Sequence, residues 1–251
     1  MKLSIVIPAH NEEHRLAPTL ESYAAFFQQR YANDFEIIVV VNHSSDRTEA
    51  LAKSIAERLP GIAVVNEPRR VGKGGAVEMG FRMAKGERVG FVDADGATSA
   101  IEFHKLVEGI GDAGCAIGSR WIKGAEVNPR QPLMRRMASR VLNKLFVHAL
   151  FGLKVYDSQC GAKLFRAEVL EKLLPVASEP GWAFDIELLC RVQRLGYGIR
   201  ELPIKWHHVP GNPTTFLVMG LQMLASVWRV RWALARWTDP AVEEQGRGGE
   251  M

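Results

Sequence analysis

The sequence contains few cysteines and no pair of them at metal-binding spacing. Cys115, Cys160 and Cys190 are odd in number and widely separated. This pattern excludes a disulfide framework and a CxxC zinc site, and it favours a reducing compartment. The apolar run near the amino terminus, residues 3–7, is too short for a signal peptide. We therefore expect a protein that is not secreted.

Two common nucleotide-binding signatures are also missing. No GxGxxG motif follows the first apolar run, and the glycine-rich segment 71–75 is too short and wrongly ordered for a P-loop. The sequence is therefore neither an evident dehydrogenase nor an evident NTPase, and the missing triphosphate loop disfavours a nucleotidyltransferase. The net charge of +4 and the pI near 9.0 suit an anionic substrate or a membrane surface. We expect no nucleic-acid partner.

Apolar strands alternate with amphipathic helices in the first half of the chain. The patterns predict strands over residues 3–7, 35–41, 62–65 and 89–92, and helices over 16–30, 48–59 and 76–85. This order predicts an α/β fold with a doubly wound, mostly parallel sheet and helices on both faces. The carboxyl ends of parallel strands lie at one edge, so the loops that follow them should meet in one crevice.

The second half of the chain is less regular. Its patterns predict helices over residues 102–110, 132–151, 167–174, 184–195 and 216–237, and strands over 115–119 and 199–206. We expect one domain over residues 1–212, with halves at about 1–98 and 99–212, and then an amphipathic helix over 213–237. The tail at 238–251 is rich in Glu and Gly, which predicts disorder.

The strongest chemical signal is a pair of aspartates after the fourth predicted strand. Asp93 and Asp95 are two residues apart, and side chains at this spacing point the same way along a strand. Carboxylates suit a hard divalent cation that bridges to the phosphates of a substrate. Ala94 and Gly96 add little bulk, so a diphosphate could approach closely. The alternative is that Asp95 and Gly96 only form a turn.

Three further loops should meet this aspartate pair in the crevice. Residues 8–12 and 42–46 carry polar groups suited to a base and a ribose, and Lys73 lies in the glycine-rich segment where a phosphate could bind. Two alternatives stay open, since Lys73 could be a solvated surface lysine and Asp46 could cap the helix that starts at Thr48.

In this order, the four loops resemble those of the inverting family 2 glycosyltransferases, which have a GT-A fold. The shared motifs are IVIPAHNE at residues 5–12, SxDxT at 44–48, GKG at 72–74 and DAD at 93–95. Later motifs resemble the dolichyl-phosphate glucosyltransferase and mannosyltransferase branch, at residues 118–120, 157–165, 182–189 and 201–206. The resemblance extends over about residues 3–237.

The resemblance implies transfer of a hexose, with inversion, from a UDP- or GDP-hexose to a polyprenyl phosphate, with Mg or Mn as cofactor. It implies that Asp95 ligates the metal on the diphosphate and that Asp93 holds the ribose or the metal. The implied nucleotide-sugar site comprises Pro8, Ala9, Asn11, Glu12, Asn42, Ser44, Asp46, Lys73, Gly74, Asp93, Ala94 and Asp95. Asn42 stands where the family usually has an aspartate. An amide donates as well as accepts, so uracil and guanine both stay open.

The acceptor side follows from the charge of a polyprenyl phosphate, which is already ionised and needs positioning rather than a general base. Arg120 is the candidate for a bidentate phosphate clamp, with Ser119 and Lys163 beside it. The catalytic candidates are Asp95, Arg120 and Asp185. The resemblance implies that Asp185 contacts sugar hydroxyls, or acts as base if the acceptor is a hydroxyl. Its alternative role is to complement a helix dipole.

Two helical stretches predict contact with a membrane surface. The apolar run at 216–228 is shorter than the ~20 residues of a spanning helix. A polar stripe, three tryptophans and a second basic stretch at 130–151 are typical of helices that lie in the interface. The polar residues are Gln222, Ser226, Arg229 and Arg236, then Arg136, Arg140, Lys144 and His148, and the tryptophans are Trp228, Trp232 and Trp237. We expect peripheral association with the cytoplasmic face of a membrane. The alternative is packing on the core or in a homo-oligomer.

Other functions remain as rivals. A family 2 transferase could act on a soluble or lipid hydroxyl, and a catalytically silent module could bind a nucleotide sugar without turning it over. The sequence leaves open the sugar, the prenyl length, the oligomeric state and the role of His207 and His208.

Overall fold

A computed structural model of the protein describes residues 1–129, 147–207 and 216–237. The strands are β1 (Leu3–Ala9), β2 (Phe35–Asn42), β3 (Ile62–Glu67), β4 (Arg88–Val92), β5 (Cys115–Ser119), β6 (Glu126–Asn128), β7 (Ala162–Arg166), β8 (Ile199–Pro203) and β9 (Lys205–His207). The helices are α1 (Leu16–Tyr31), α2 (Thr48–Arg58), α3 (Gly72–Met83), α4 (Ala100–Gly109), α5 (Ala149–Phe151), α6 (Ala167–Leu173), α7 (Phe184–Arg194) and α8 (Phe216–Arg236). Most of the predicted helix at 132–151, His208 and the tail lie outside the described residues.

The central sheet has seven strands in the order β3-β2-β1-β4-β7-β5-β8. β1 pairs in parallel with β2 and with β4, while β7 runs antiparallel between β4 and β5. The predicted doubly wound, mostly parallel sheet is confirmed. The strand order reverses between β1 and β4, and ligands bind at such a switch point. The loops after β1 and β4 therefore flank the crevice.

The alternation of side chains along β1 divides the core into two layers. Ile5 and Ile7 face a layer with α1, α2 and α4, and Val6 faces the layer with α3, α6, α7 and α8. All three side chains are fully buried, as expected for a strand with helices on both faces. This double burial explains why the early strands are short continuous apolar runs.

The predicted strand over 199–206 is in fact two strands in different sheets. β8 pairs with β5, and β9 pairs with β6 in a separate two-stranded sheet. The break follows Pro203, which has no amide hydrogen to continue the ladder. The chain then turns toward β6, where the Glu126 amide donates to the Ile204 carbonyl (3.1 Å).

α8 buries one residue of its polar stripe and exposes two of its tryptophans. Ser226 is only 2% exposed, and Arg229 reaches a buried carboxylate, while Trp228 and Trp232 are 65% and 59% exposed. Glu179 supplies a buried partner for Arg229 of this stripe, and contact of the helix with a membrane stays a prediction. Among the described residues, no helix is long and apolar enough to cross a membrane.

Candidate active site

Asp93 lies directly after β4, pressed against the start of β7. Its amide donates to the Gly161 carbonyl (3.1 Å). A Cβ atom built on Gly161 would lie 2.0 Å from the Asp93 Oδ2 atom, so only glycine leaves room for this carboxylate. A residue from the second half of the chain thus sets the position of Asp93.

Lys73 forms an ion pair with Asp93 across the crevice. The Lys73 Nζ atom lies 2.5 Å from Asp93 Oδ1 and above the rings of Phe91 and Phe184. Burial acts to lower the pKa of Lys73, but the surrounding carboxylates, Asp93 first and then Asp185, outweigh it and raise that pKa. The lysine is therefore a firmly protonated cation beside the aspartate pair, where it could contact a diphosphate.

Asp95 completes the acidic pair at the same edge. Its Oδ1 atom accepts a hydrogen bond from the Ala97 amide (3.0 Å). Burial, and then the Asp93 charge, raise the pKa of Asp95. Two hard oxygen donors in mutual repulsion suit Mg or Mn, which commonly bind one or two carboxylates and complete their shell with water and phosphate. In the described part of the chain, no three His, Cys, Asp or Glu side chains gather as a metal site.

The loops after β1 and β2 are cross-linked by hydrogen bonds, as their predicted meeting requires. The Asn11 amide donates to Ser44 Oγ (3.1 Å), and its side-chain oxygen accepts from the Ser45 amide (2.8 Å). The Asp46 carboxylate accepts from the amides of Thr48 (3.0 Å) and Glu13 (3.2 Å). Asp46 therefore caps the start of α2 and also joins the two loops. A contact between these loops and a nucleotide stays a prediction.

Asn42 has both side-chain polar atoms bonded within the protein. Its Oδ1 atom accepts from the Val71 amide (3.2 Å) and its Nδ2 atom donates to the Gly72 carbonyl (3.1 Å). An ionised aspartate could not make the second bond, because it has no donor. Asn42 therefore supports the first turn of α3, and its predicted contact with a base would have to replace these bonds.

The glycine-rich segment is helical rather than a loop, which corrects the predicted start at residue 76. α3 begins at Gly72, and the Pro180 carbonyl accepts from the amides of Gly74 (2.9 Å) and Gly75 (3.3 Å). A Cβ atom at Gly72 would lie 2.4 Å from that carbonyl oxygen. Glycines are poor helix formers, but here their lack of a side chain admits a tertiary hydrogen-bond partner.

Arg120 forms a bidentate ion pair with Asp157, so two of its guanidinium donors are already bonded within the protein. The Nε and Nη2 atoms lie 2.7 and 2.8 Å from the two Asp157 oxygens, and the Arg120 amide also donates to Asp157 (2.9 Å). The guanidinium lies over the rings of Trp121 and Trp206. Asp157 thus orients Arg120 at the end of β5, and the phosphate-clamp role stays a prediction.

Lys163 and Asp185 form a second, deeper ion pair. The Lys163 Nζ atom lies 2.6 Å from Asp185 Oδ1, and both side chains are at most 5% exposed. Burial raises the pKa of Asp185, although Lys163 and then Lys73 oppose the shift. Ser119 is also buried, and its Oγ atom accepts from the Trp121 amide (3.3 Å). The acceptor roles of these residues stay predictions.

The sequence profile of Glycosyl transferase family 2 matches residues 4–174, more than half of the chain. The chain belongs to glycosyltransferase family 2. It is accordingly a glycosyltransferase, and the family named from its sequence motifs is confirmed.

Several relatives of this glycosyltransferase share one description. A dolichyl-phosphate beta-glucosyltransferase of Drosophila melanogaster is 31% identical over 262 residues, which cover 98% of this chain and 79% of the relative. The human protein of that description is 30% identical, with 94% of this chain and 77% of the relative covered. One from Trichomonas vaginalis is 34% identical, and the match covers 82% of this chain but only 64% of that relative.

Solved structures identify the fold of this glycosyltransferase. Glucosyl-3-phosphoglycerate synthase from Mycobacterium tuberculosis, in complex with Mn²⁺, UDP and phosphoglyceric acid, superposes with a TM-score of 0.70 at 22% identity. The match covers 95% of this chain and 80% of that one. A complex of the same protein with Mn²⁺, UDP-glucose and phosphoglyceric acid gives a TM-score of 0.68. This likeness establishes the GT-A fold.

Sequence reasoning about this glycosyltransferase missed two carboxylates. Asp157 lies 37 residues from Arg120 and Glu179 lies 50 residues from Arg229, yet each forms a bidentate pair with that arginine. Asp157 belongs to a motif that carried the family resemblance, which was the one available signal. No local pattern pointed to Glu179. Of the histidine pair, His207 uses its amide to donate to the Ala97 carbonyl (2.8 Å).

Proposed function

We propose that this glycosyltransferase transfers glucose from UDP-glucose to a dolichyl or other polyprenyl phosphate, with inversion and with Mg²⁺ or Mn²⁺ as cofactor. The observation that carries the proposal is the placement of Lys73, Asp93 and Asp95 together at the switch point of the sheet. This group matches the charge pattern of a diphosphate with a divalent cation. The relatives described as dolichyl-phosphate beta-glucosyltransferases support the choice of sugar and acceptor, and the UDP complexes support the choice of nucleotide.

The residues of the chain have distinct tasks in this reaction. Asp93 and Asp95 would hold the cation, which would supply Lewis-acid stabilisation of the leaving diphosphate. Lys73 would bind the same diphosphate and neutralise charge that develops as the bond to the sugar breaks. An acceptor phosphate oxygen forms the new bond to the anomeric carbon from the opposite face, and UDP leaves. One displacement of this kind inverts the configuration.

The acceptor phosphate is the nucleophile in its ionised form, so the reaction needs no general base. Asp185 fits this assignment, since it is buried and paired with Lys163 at 2.6 Å. If the acceptor were a hydroxyl, Asp185 would have to take its proton. Asp185→Asn should then abolish turnover, whereas with a phosphate acceptor it should only reduce it.

The decisive experiment measures nucleoside diphosphate release from UDP- and GDP-hexoses with Mn²⁺, with and without a short polyprenyl phosphate. Release from UDP-glucose that requires the lipid phosphate is the expected result. Release that is independent of lipid phosphate would point to another acceptor. Binding of UDP-glucose without release under any condition would favour a silent binding module. Loss of release on chelation with EDTA, and its return with Mn²⁺, would establish metal dependence.

We also infer that α8 lies on the cytoplasmic surface of a membrane, where it would meet the lipid acceptor. Its outward face carries Trp228 and Trp232, and the Arg236 guanidinium lies over the Trp232 ring. Tryptophan and arginine are the residues that membrane interfaces favour. Replacing both tryptophans by alanine should weaken binding to anionic vesicles by about tenfold. Ile101→Ala, an exposed apolar change on α4 in the opposite layer, should not. Equal binding by all three proteins would refute the inference.

A further inference from the structure

A short strap, residues 178–181, lies between α3 and α8. Its Pro180 carbonyl accepts hydrogen bonds from the amides of Gly74 (2.9 Å) and Gly75 (3.3 Å). These amides belong to the first turn of α3, where a helix leaves its N–H groups without intrahelical partners. The strap therefore caps the turn that carries Lys73.

The strap packs against α3 so closely that there is no room for a side chain between them. A Cβ atom at Gly72 would lie 2.4 Å from the Pro180 oxygen, and one at Gly74 would lie 2.6 Å from the Glu179 carbonyl oxygen. Backbone thus packs directly on backbone, without a flexible side chain between them. A displacement of the strap would move the first turn of α3, and with it Lys73.

The strap is held from two sides. From within, the buried Glu187 carboxylate accepts from the amides of Ser178 (3.1 Å) and Glu179 (2.7 Å). From outside, Arg229 of α8 donates from Nε and Nη2 to the two Glu179 oxygens, both at 2.9 Å. Glu179 is only 6% exposed and also accepts from the Gly181 amide (3.0 Å). A buried carboxylate of this kind depends on its ionic partner.

We propose that Arg229 is a positioning residue for donor binding. Through Glu179 and the strap it holds the first turn of α3, and therefore Lys73, in the position that binds the diphosphate of the nucleotide sugar. The inference rests on the proposed function in that it takes Lys73 as the diphosphate contact. Arg229 itself lies outside the crevice, with a side chain that is 58% exposed. The helix with the outward tryptophans is thereby tied mechanically to the donor site.

The test compares UDP binding, measured by calorimetry with Mn²⁺, with steady-state kinetics of UDP-glucose turnover. Arg229→Ala should raise the dissociation constant for UDP and the KM for UDP-glucose by about five- to tenfold, with a smaller change in kcat. Arg229→Lys keeps the charge and one hydrogen bond, so it should recover part of the affinity. Arg231→Ala removes an arginine of the same helix that donates to the Leu150 carbonyl and not to the strap in the described structure, and the variant should bind UDP as wild type does.

Wild-type affinity in a folded Arg229→Ala protein would overturn the proposal. If that variant melts at a lower temperature, Glu179→Gln replaces it, because the amide keeps the shape of the side chain while it removes the charge and turns one acceptor oxygen into a donor. An unchanged UDP affinity in Glu179→Gln would also overturn the proposal. A loss of kcat with unchanged KM and unchanged UDP affinity would assign Arg229 to stability alone. Wild-type protein is measured first, and failure of that protein to bind UDP would refute the proposed function instead.

Discussion

Replacing Gly161 by alanine tests whether the position of Asp93 determines cation binding. The new Cβ atom would lie 2.0 Å from Asp93 Oδ2, whereas ordinary van der Waals contact begins at 3.4 Å, so the oxygen must move by about 1.4 Å. The backbones cannot separate to relieve this clash without losing the bond between the Asp93 amide and the Gly161 carbonyl. Metal–ligand distances in proteins fall within about 0.2 Å of their usual values, and a misplacement of about 1 Å can cost about 10²-fold in rate.

We therefore expect Gly161→Ala to lose about 10²-fold in kcat/KM for UDP-glucose and to bind Mn²⁺ measurably more weakly by calorimetry. The overpacking should cost about 1–3 kcal/mol of unfolding free energy, so the protein should still fold. Gly198→Ala is the matched control, because its Cβ atom would lie 3.7 Å from the nearest atom, in ordinary contact. A folded Gly161→Ala protein with wild-type Mn²⁺ affinity and turnover would refute the reasoning.

Three further predictions concern charge and burial. Lys73→Met removes the ammonium group beside Asp93 and should raise the KM for UDP-glucose by about tenfold or more. Lys53→Ala, in an exposed ion pair on α2, should leave that KM unchanged. Equal KM values for the two variants would contradict the role of Lys73. Glu187→Gln breaks the ion pair with Arg191, which is at most 2% exposed, and should lower the free energy of unfolding in urea by about 3–5 kcal/mol. Glu78→Gln, in a partly exposed ion pair, should lower it by less than about 1 kcal/mol. Burial, and then the charge of Asp157, raise the pKa of Cys160 to about 12, and all three cysteines are buried. A thiol reagent at pH 8 should therefore react only after unfolding. Rapid reaction of the native protein would contradict this burial.

The buried Lys163–Asp185 ion pair suggests how the donor crevice keeps its charges in place. Lys163 and Asp185 lie below the crevice, and the carboxylate of Asp185 also helps to keep Lys73 protonated. Charge therefore alternates from the buried Lys163, through Asp185 and Lys73, to Asp93. In such an arrangement each group stabilises the ionised form of the next. The last of these charged groups, Asp93, lies at the crevice where the diphosphate is proposed to bind.

The sequence by itself determined the fold class and the four loops of the crevice. Burial on both faces of the sheet requires continuous apolar runs such as residues 35–41, and parallel strands place the loops that follow them at one edge. These are local rules, because each depends on the spacing of side chains within one element. They explain why the sequence alone predicted that Lys73, Asp93 and Asp95 lie at the same edge of the sheet.

Only the tertiary structure decided which charges pair and which way each helix turns. Arg120 and Asp157 lie 37 residues apart, and Arg229 and Glu179 lie 50 apart, so no periodicity within one element relates them. On α8, Ser226 is buried and Arg229 pairs with a buried carboxylate on another segment for the same reason. The start of α3 at Gly72 likewise depends on the Pro180 carbonyl. Periodicity determines what an element is, whereas partners distant in sequence determine where its side chains point.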